Sequence, residues 1–219
     1  MKVEENIRRL LNMHNVFAFD LDGTLIYSFE QQYQELVFLS RRYKLKLPMK
    51  SDIKKILYGS EKIIKSTIQA VWPNISDEVE KEMYRLANNF SKENNFAYIK
   101  PQRGVKKFLQ NCRRKKKNII IITNSGKKRT EMKLRAAGIL NLIDVIYSAR
   151  NNKKPSLAVL KDVYKKFSKG DILYFGDLFI DIVFTRNAGL PLIFVNNCVN
   201  RNIAKKYNIP FLESFSYLI

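Results

Sequence analysis

Four short polar motifs follow apolar stretches of this 219-residue chain, and their residue types can act on a metal ion or an anion. The first motif places Asp20 and Asp22 two residues apart, with Gly23 directly after them. Carboxylates at this spacing after a strand point to the same side, and the glycine permits a turn that brings the backbone close to a ligand. Paired carboxylates can supply hard oxygen ligands and can exchange a proton with a substrate.

The other three motifs add an anion site, a cation and a second pair of acids. Residues 123–125 read Thr-Asn-Ser and offer a hydroxyl and free backbone N–H groups to an anion. Lys153 and Lys154, in the loop after the strand that ends near Ser148, could each reach the site, and we favour Lys154 because it directly precedes a proline. Asp177 and Asp181 follow the apolar run DILYF and a glycine. The set predicts a site that holds an anion beside several carboxylates.

All four motifs lie at or after the ends of predicted strands. Beyond Pro101, short apolar runs alternate with helical patterns, which predicts a doubly wound parallel α/β sheet covered by helices on both faces. In such sheets functional residues gather at the carboxyl ends of the strands. The predicted strands are residues 16–19, 118–123, 144–149, 171–177 and 191–197.

The segment after the first motif has a different character. Residues 25–99 contain no comparable strand and show apolar residues at helical spacing instead. One helix is predicted to begin after Ser76, which has the side chain of a good N-cap. We therefore predict an α/β core made of residues 1–24 and 100–219, interrupted by a helical insert of residues 25–99.

Composition argues against several other classes of protein. The two cysteines, Cys112 and Cys198, form no CxxC pair, so neither a disulfide scaffold nor a structural zinc site is expected, and a reducing cytoplasm is the simplest setting. The single histidine, His14, argues against a catalytic histidine or a multi-histidine metal site. The apolar runs fall far short of the roughly 18 residues that a membrane span needs. The first residues do not resemble a signal peptide, because they include acids and lack a sustained apolar region.

The net charge of +20 is the unusual property of the composition. Residues 25–99 carry +3 and the remainder carries +17, so the predicted core holds the basic field. Such a field attracts nucleic acid, phosphorylated metabolites and acidic membrane surfaces, although a lysine-rich composition without a function explains it equally well. We also hypothesise that some of Lys127, Lys128 and Arg129, in the first turn of the helix after Thr123, flank the mouth of the site.

The four motifs, in this order, resemble those of the haloacid dehalogenase superfamily of phosphohydrolases. The DxDGT that starts at Asp20, the Thr-Asn-Ser of residues 123–125, the Lys154-Pro155 pair and the GDxxxD of residues 176–181 each match one motif of that family. The helical insert after the first motif is similar to a C1-type cap, as in phosphoglycolate phosphatase-like members. The resemblance implies a Rossmann-like core, a Mg²⁺ cofactor and hydrolysis of a small phosphorylated metabolite.

The resemblance also implies catalytic roles for particular residues. Asp20 is expected to attack phosphorus and form an aspartyl-phosphate, while Asp22 acts first as general acid and then as general base. The Thr123 hydroxyl and the Asn124 N–H are expected to hold phosphate oxygens. Lys154 is expected to bind the phosphate and to stabilise charge on the nucleophile and the transferring group.

A metal site is the second implication of the resemblance. Asp20 and Asp177 are expected to be Mg²⁺ ligands through their side chains, and Asp22 through its main-chain carbonyl. Asp181 is expected to act as a ligand through water or as a partner of the ligands. Oxygen donors of this kind suit Mg²⁺.

Alternatives remain open for residues and for function. Asp22 and Asp181 can cap a turn or a helix, Thr123 can simply end a strand, and Lys154 can be a solvated loop lysine. The alternative function is a nucleic-acid-associated protein or a polynucleotide end phosphatase that uses the basic core surface. We favour it less, because a cap over the site suits small substrates. A gel shift on short nucleic acids at physiological salt distinguishes the two functions.

Overall fold

The computed structural model of the protein describes residues 2–64, 66–148 and 153–219. The strands are β1 (Val16–Phe19), β2 (Ile26–Tyr27), β3 (Lys100–Pro101), β4 (Asn118–Thr123), β5 (Val145–Ser148), β6 (Ile172–Gly176), β7 (Leu192–Val195) and β8 (Phe211–Leu212). The helices are α1 (Lys2–Met13), α2 (Phe29–Tyr43), α3 (Lys50–Tyr58), α4 (Thr67–Val71), α5 (Asp77–Glu93), α6 (Val105–Arg114), α7 (Lys127–Ala136), α8 (Leu160–Tyr164), α9 (Phe179–Ala188) and α10 (Arg201–Lys206). Short 3₁₀ helices lie at Leu140–Leu142, Lys169–Asp171 and Phe215–Leu218.

Six of the strands form one parallel sheet in the order β5-β4-β1-β6-β7-β8. This topology confirms the predicted doubly wound α/β fold. The central strand β1 lies between β4 and β6, with Phe19 paired to Ile121 on one side and to Phe175 on the other. The carboxyl ends of these three strands therefore meet at one end of the sheet, where three of the four motifs begin.

Alternate residues of the central strands face opposite helical layers. On β4, Ile119 and Ile121 pack into the hydrophobic cluster that includes α6, whereas Ile120 and Ile122 pack into the cluster that includes α8 and α9. Successive side chains of a strand point to opposite faces, so a strand covered on both faces needs an uninterrupted apolar run. The sequence NIIIIT meets this requirement, and its four isoleucines are completely buried.

Helices α2 to α5 build a hydrophobic cluster of their own. Its buried side chains include Leu36 of α2, Ile53 of α3 and Met83 of α5. The short antiparallel pair of β2 and β3 lies where the chain enters and leaves this helical layer, with Ile26 opposite Pro101. The four helices thus pack against one another, and Leu178 and Val199 of the core loops pack against their cluster.

Most predicted elements are observed close to their predicted positions. Ser76 caps α5 as expected, because its side-chain oxygen accepts the N–H of Val79. The strand predicted over residues 144–149 is observed as β5, and its predicted last residue, Ala149, lies outside the described residues. The sequence patterns do not indicate α1, α10 or β8. None of the helices in the described ranges combines the length and apolar character that a bilayer crossing requires.

The helix before β6 is shorter than its sequence pattern indicates. The pattern predicts a helix over residues 157–167, whereas α8 has five residues. The backbone before α8 forms successive i→i+3 hydrogen bonds, from Leu160 N to Leu157 O and from Lys161 N to Ala158 O. This tighter turn of 3₁₀ type delays the start of the α-helix.

The two cysteines have contrasting surroundings and allow a simple test of the packing. Cys112 is 4% exposed and burial raises its pKa to about 12, whereas Cys198 is exposed on the loop after β7. Because the thiolate is the reactive form, we expect the native protein at pH 8 to react with DTNB rapidly at Cys198 and at Cys112 only after unfolding in guanidinium. Cys198→Ser is the control, and rapid labelling of that variant in its native state would contradict the burial of Cys112.

Candidate active site

Three motifs converge at the carboxyl ends of β1, β4 and β6. The hydrogen-bond ladder of β1 continues to Asp20, whose N–H donates to Phe175 O at 2.8 Å. Thr123 is the last residue of β4, and Asp177 directly follows β6. Parallel neighbouring strands end on the same side, so these residues become neighbours although they are distant in sequence.

Lys154 lies at the centre of the site. Its Nζ donates to Asp20 Oδ1 at 2.7 Å, to Asp181 Oδ1 at 2.6 Å and to the Tyr174 hydroxyl at 2.9 Å. Burial by itself would lower the pKa of Lys154, but the carboxylates of Asp181 and Asp20 outweigh it and hold that pKa well above its usual range. Lys153, the adjacent lysine, is exposed. Lys154 is therefore the lysine that joins the acids of the site.

Asp20, Asp177 and Asp181 form a buried acidic cluster beside this lysine. Each offers a carboxylate oxygen, and the three atoms lie within 4.8 Å of one another. Burial raises the pKa of Asp20 to about 7, although Lys154 opposes the shift. Burial, together with the neighbouring carboxylates of Asp20 and Asp181, also raises the pKa of Asp177 well above its usual range. Like charges repel strongly when shielded from water, so the ionised cluster favours a further cation.

Asp177 is held by three side chains, of which only Thr24 belongs to one of the four sequence motifs. Thr24 Oγ1 donates to Asp177 Oδ1 at 2.8 Å, and Asn197 Nδ2 donates to Asp177 Oδ2 at 3.0 Å. Asn200 Nδ2 binds the main-chain oxygen of Asp177 at 2.8 Å. Gly23 has a φ of +90°, and a Cβ at this position would collide with the Asp177 carboxylate. Gly23 therefore allows the first and fourth motifs to come into contact. Asn197 could have been predicted as a site residue, because it is a polar residue just after the end of a strand.

Asp181 has its carboxylate oxygens occupied by donors. Its Oδ2 accepts the N–H groups of Asp177 and Leu178, both at 3.2 Å, and its Oδ1 accepts Lys154 Nζ and, at 3.1 Å, the Tyr174 hydroxyl. An ionised carboxylate has about four lone-pair sites, so these four donors fill them. Asp181 thus caps the start of α9, which is the structural role left open for it in the sequence, and it also holds Lys154 in place.

The remaining donors of the cluster fit a hard divalent cation. Asp20 Oδ2 accepts no hydrogen bond from the described residues, and each oxygen of Asp177 accepts one side-chain hydrogen bond. Lone pairs therefore remain on both carboxylates. Oxygen ligands of this type, with a partly open arrangement, suit Mg²⁺ and leave room for a substrate phosphate.

Asp22 does not join the acidic cluster but pairs with Lys133 on α7. Lys133 Nζ lies 2.7 Å from both carboxylate oxygens of Asp22, and the lysine is 4% exposed. Burial alone would raise the pKa of Asp22, but Lys133 outweighs burial and holds it below its usual range. Lys133 could not be predicted from the sequence, because nothing local distinguishes it from the exposed basic residues of the same helix.

The loop after β4 is tied to the loop that carries Lys154. Asn124 Oδ1 accepts the main-chain N–H of Lys154 at 2.7 Å, and Ser148 Oγ donates to Ser125 O at 2.7 Å. Thr123 is 2% exposed, and its Oγ1 accepts the N–H of Ser125 at 3.1 Å. The hydroxyl proton of Thr123 therefore remains available to another acceptor.

Arg129 connects the helix after β4 to the helical layer. Its guanidinium lies 2.7 Å from Glu35 Oε1 on α2 and also hydrogen-bonds to Asn88 on α5. The side chains of Arg129 and Glu35 are 18% and 13% exposed, whereas Lys127 and Lys128 are exposed residues. We hypothesise that some of Lys127, Lys128 and Arg129 flank the mouth; Arg129 instead forms a contact between the two layers. The hypothesis that the others flank the mouth stays a prediction.

The fold and the acidic centre define a Rossmann-like α/β hydrolase. A model of the haloacid dehalogenase-like hydrolases matches residues 17–195, and this chain belongs to that family. No curated protein matches it by sequence.

Solved structures show the same fold at low sequence identity. A predicted phosphoglycolate phosphatase from Haemophilus somnus 129PT has a TM-score of 0.80 and 19% identity, over 94% of this chain and 96% of its own. A haloacid dehalogenase-like hydrolase structure from Bacteroides fragilis has a TM-score of 0.81 and 17% identity, over 94% of this chain and 100% of its own. CbbY from Rhodobacter sphaeroides, in complex with phosphate, has a TM-score of 0.76 and 17% identity, over 94% of this chain and 96% of its own.

Proposed function

We propose that this chain is a Mg²⁺-dependent phosphatase that hydrolyses a small organic phosphate monoester through an aspartyl-phosphate on Asp20. The observation that carries the proposal is the buried contact of Lys154 with Asp20, beside Asp177, at the carboxyl ends of adjacent parallel strands. Membership of the hydrolase family supports the reaction type.

In the first step the carboxylate of Asp20 attacks phosphorus. A bond forms between a carboxylate oxygen and phosphorus, and the bond between phosphorus and the ester oxygen breaks. Asp22 gives a proton to the leaving oxygen. Lys154, held 2.7 Å from Asp20, offsets the negative charge on the nucleophile and on the transferring group.

In the second step a water molecule hydrolyses the aspartyl-phosphate. Asp22 takes a proton from the water, whose oxygen bonds to phosphorus, and the bond from phosphorus to Asp20 breaks to release phosphate. The ion pair with Lys133 favours the ionised form of Asp22, which is the form that this step requires. The first step requires that Asp22 hold a proton when substrate is bound.

Phosphate and metal are assigned to neighbouring groups. Asp20 and Asp177 would hold Mg²⁺ with the main-chain carbonyl of Asp22, and Asp181 would act through water or through the groups it binds. When bound, Mg²⁺ neutralises charge on the phosphoryl group. The Thr123 hydroxyl and the Asn124 N–H would hold phosphate oxygens.

The substrate is proposed to be small because of the helical layer. We divide the chain into a catalytic core of residues 1–24 and 100–219 and a cap of residues 25–99, which Arg129 contacts through Glu35. The Haemophilus somnus neighbour is described as a predicted phosphoglycolate phosphatase, and CbbY has been solved with phosphate and, in another structure, with xylulose-(1,5)bisphosphate. A phosphorylated metabolite of this size is the substrate class we propose, in a cytoplasmic setting that suits two free cysteines.

Hydrolysis of 4-nitrophenyl phosphate and acetyl phosphate, with Mg²⁺ or with EDTA, tests the proposal. We expect hydrolysis that requires Mg²⁺, and a higher melting temperature with Mg²⁺ alone than with NaCl of equal ionic strength, because the cation relieves repulsion among the buried acids. A folded protein that hydrolyses neither compound with Mg²⁺ would contradict the proposed function. A melting temperature that Mg²⁺ leaves unchanged would contradict the metal site.

A further inference from the structure

Lys133 makes a contact that the proposed reaction does not by itself require. Its Nζ hydrogen-bonds to Oδ1 and Oδ2 of Asp22, both at 2.7 Å, so the ammonium faces the carboxylate symmetrically. Two serines also approach this carboxylate: Ser125, whose Oγ is 3.5 Å from Oδ2, and Ser28. A contact as long as that of Ser125 is weak. Lys133 is the cation that contacts both oxygens at short distance, and it is therefore the main group that orients Asp22.

The lysine is itself held rigidly. Lys133 is 4% exposed, and the next residue, Leu134, is completely buried in the hydrophobic cluster beneath the sheet. The helix that carries it begins shortly after Thr123, at the end of β4. The ion pair thus joins the short loop after β1 to a helix anchored on the neighbouring strand, over 111 positions of sequence.

We propose that Lys133 is a positioning residue that holds the Asp22 carboxylate where it transfers a proton to the leaving oxygen. This inference rests on the proposed function, in which Asp22 is the general acid. When one Asp22 oxygen contacts both Lys133 Nζ and the ester oxygen of the substrate, the nitrogen and the ester oxygen lie within about 5.4 Å of each other, which is two hydrogen-bond lengths. Without the lysine, the Asp22 carboxylate would lose its two shortest contacts and would spend less time aligned for transfer.

The proton matters most when the leaving group is poor. 4-Nitrophenolate departs readily without a proton, whereas phenolate is more basic and needs one. Phenyl phosphate and 4-nitrophenyl phosphate have the same charge and nearly the same shape, so they differ mainly in their demand for the general acid. The ratio kcat/KM reports the step up to departure of the alcohol, before water attacks, and so isolates this proton transfer.

The test compares kcat/KM for both esters in the wild type, Lys133→Met and Lys133→Arg, with Mg²⁺ present. We expect Lys133→Met to lower kcat/KM by about 100-fold for phenyl phosphate and by only about 3-fold for 4-nitrophenyl phosphate, a span typical of general acid catalysis. Lys133→Arg should recover part of the loss, because it keeps a cation near Asp22. Arg135→Met removes an exposed cation of the same helix and should leave kcat/KM unchanged for both esters.

Other results would overturn the inference. Equal losses for the two esters would assign Lys133 a merely structural role. A selective loss with 2-phosphoglycolate, larger than with phenyl phosphate, would mean that Lys133 binds an anionic group of the substrate instead. If Lys133→Met does not fold, Lys133→Gln retains an N–H donor and serves for the same comparison. Hydrolysis of neither ester by the wild type would count against the proposed function, whereas hydrolysis of both without a selective effect counts against Lys133 alone.

Discussion

Replacing Asp20 with asparagine is expected to abolish phosphate-ester hydrolysis, with kcat reduced by at least about 10⁴-fold. The amide of asparagine has the shape of the carboxylate but carries no charge and is not a nucleophile towards phosphorus. The variant should form no aspartyl-phosphate. Mass spectrometry after brief exposure to acetyl phosphate should therefore detect phosphorylated protein only for the wild type.

The same substitution should leave the fold intact. Asp20 is 7% exposed and lies within 4.8 Å of carboxylate oxygens of Asp177 and Asp181. Removing its charge lessens repulsion among these acids, although Lys154 loses one partner, so the melting temperature should change little. Asp162→Asn is the matched control, because its carboxylate is 65% exposed. Hydrolysis by Asp20→Asn at more than about one-hundredth of the wild-type rate would contradict a nucleophilic Asp20.

Replacing Lys154 with methionine is expected to impair both activity and stability. Lys154 pairs with the buried carboxylates of Asp20 and Asp181, and methionine has similar length but no charge. Breaking a buried ion pair by removal of one partner costs about 3–5 kcal/mol, because the other partner is left uncompensated. We expect a decrease of this size in the free energy of unfolding, measured by urea denaturation without Mg²⁺, and a loss of at least about 10²-fold in kcat with Mg²⁺.

The adjacent lysine provides the control for this experiment. Lys153 is exposed, so Lys153→Met should change the free energy of unfolding by less than about 0.5 kcal/mol and leave kcat unchanged. Equal effects of the two substitutions would contradict the central position of Lys154. Unfolding of Lys154→Met that matches the wild type would show that its ion pairs contribute no net stability.

Local features of the sequence were sufficient to predict the core of the fold. The apolar run NIIIIT is long enough to be buried on both faces and is observed as β4, and the runs that begin at Val16 and Ile172 are observed as β1 and β6. Alternation of such runs with helical patterns permits few arrangements other than a parallel sheet. Propensity alone failed for α8, where tight turns replace the first residues of the predicted helix.

The sequence by itself determined that acids, a hydroxyl and a lysine would meet at one end of the sheet. Strand direction carries this information, because each motif follows a strand and parallel strands end together. Only the tertiary structure decided how these side chains pair. Lys133 reaches Asp22, and Arg129 reaches Glu35, through contacts that span 111 and 94 positions. Both cations lie on a helix rich in exposed lysines, and burial, which distinguishes them, depends on packing between elements that no local pattern describes.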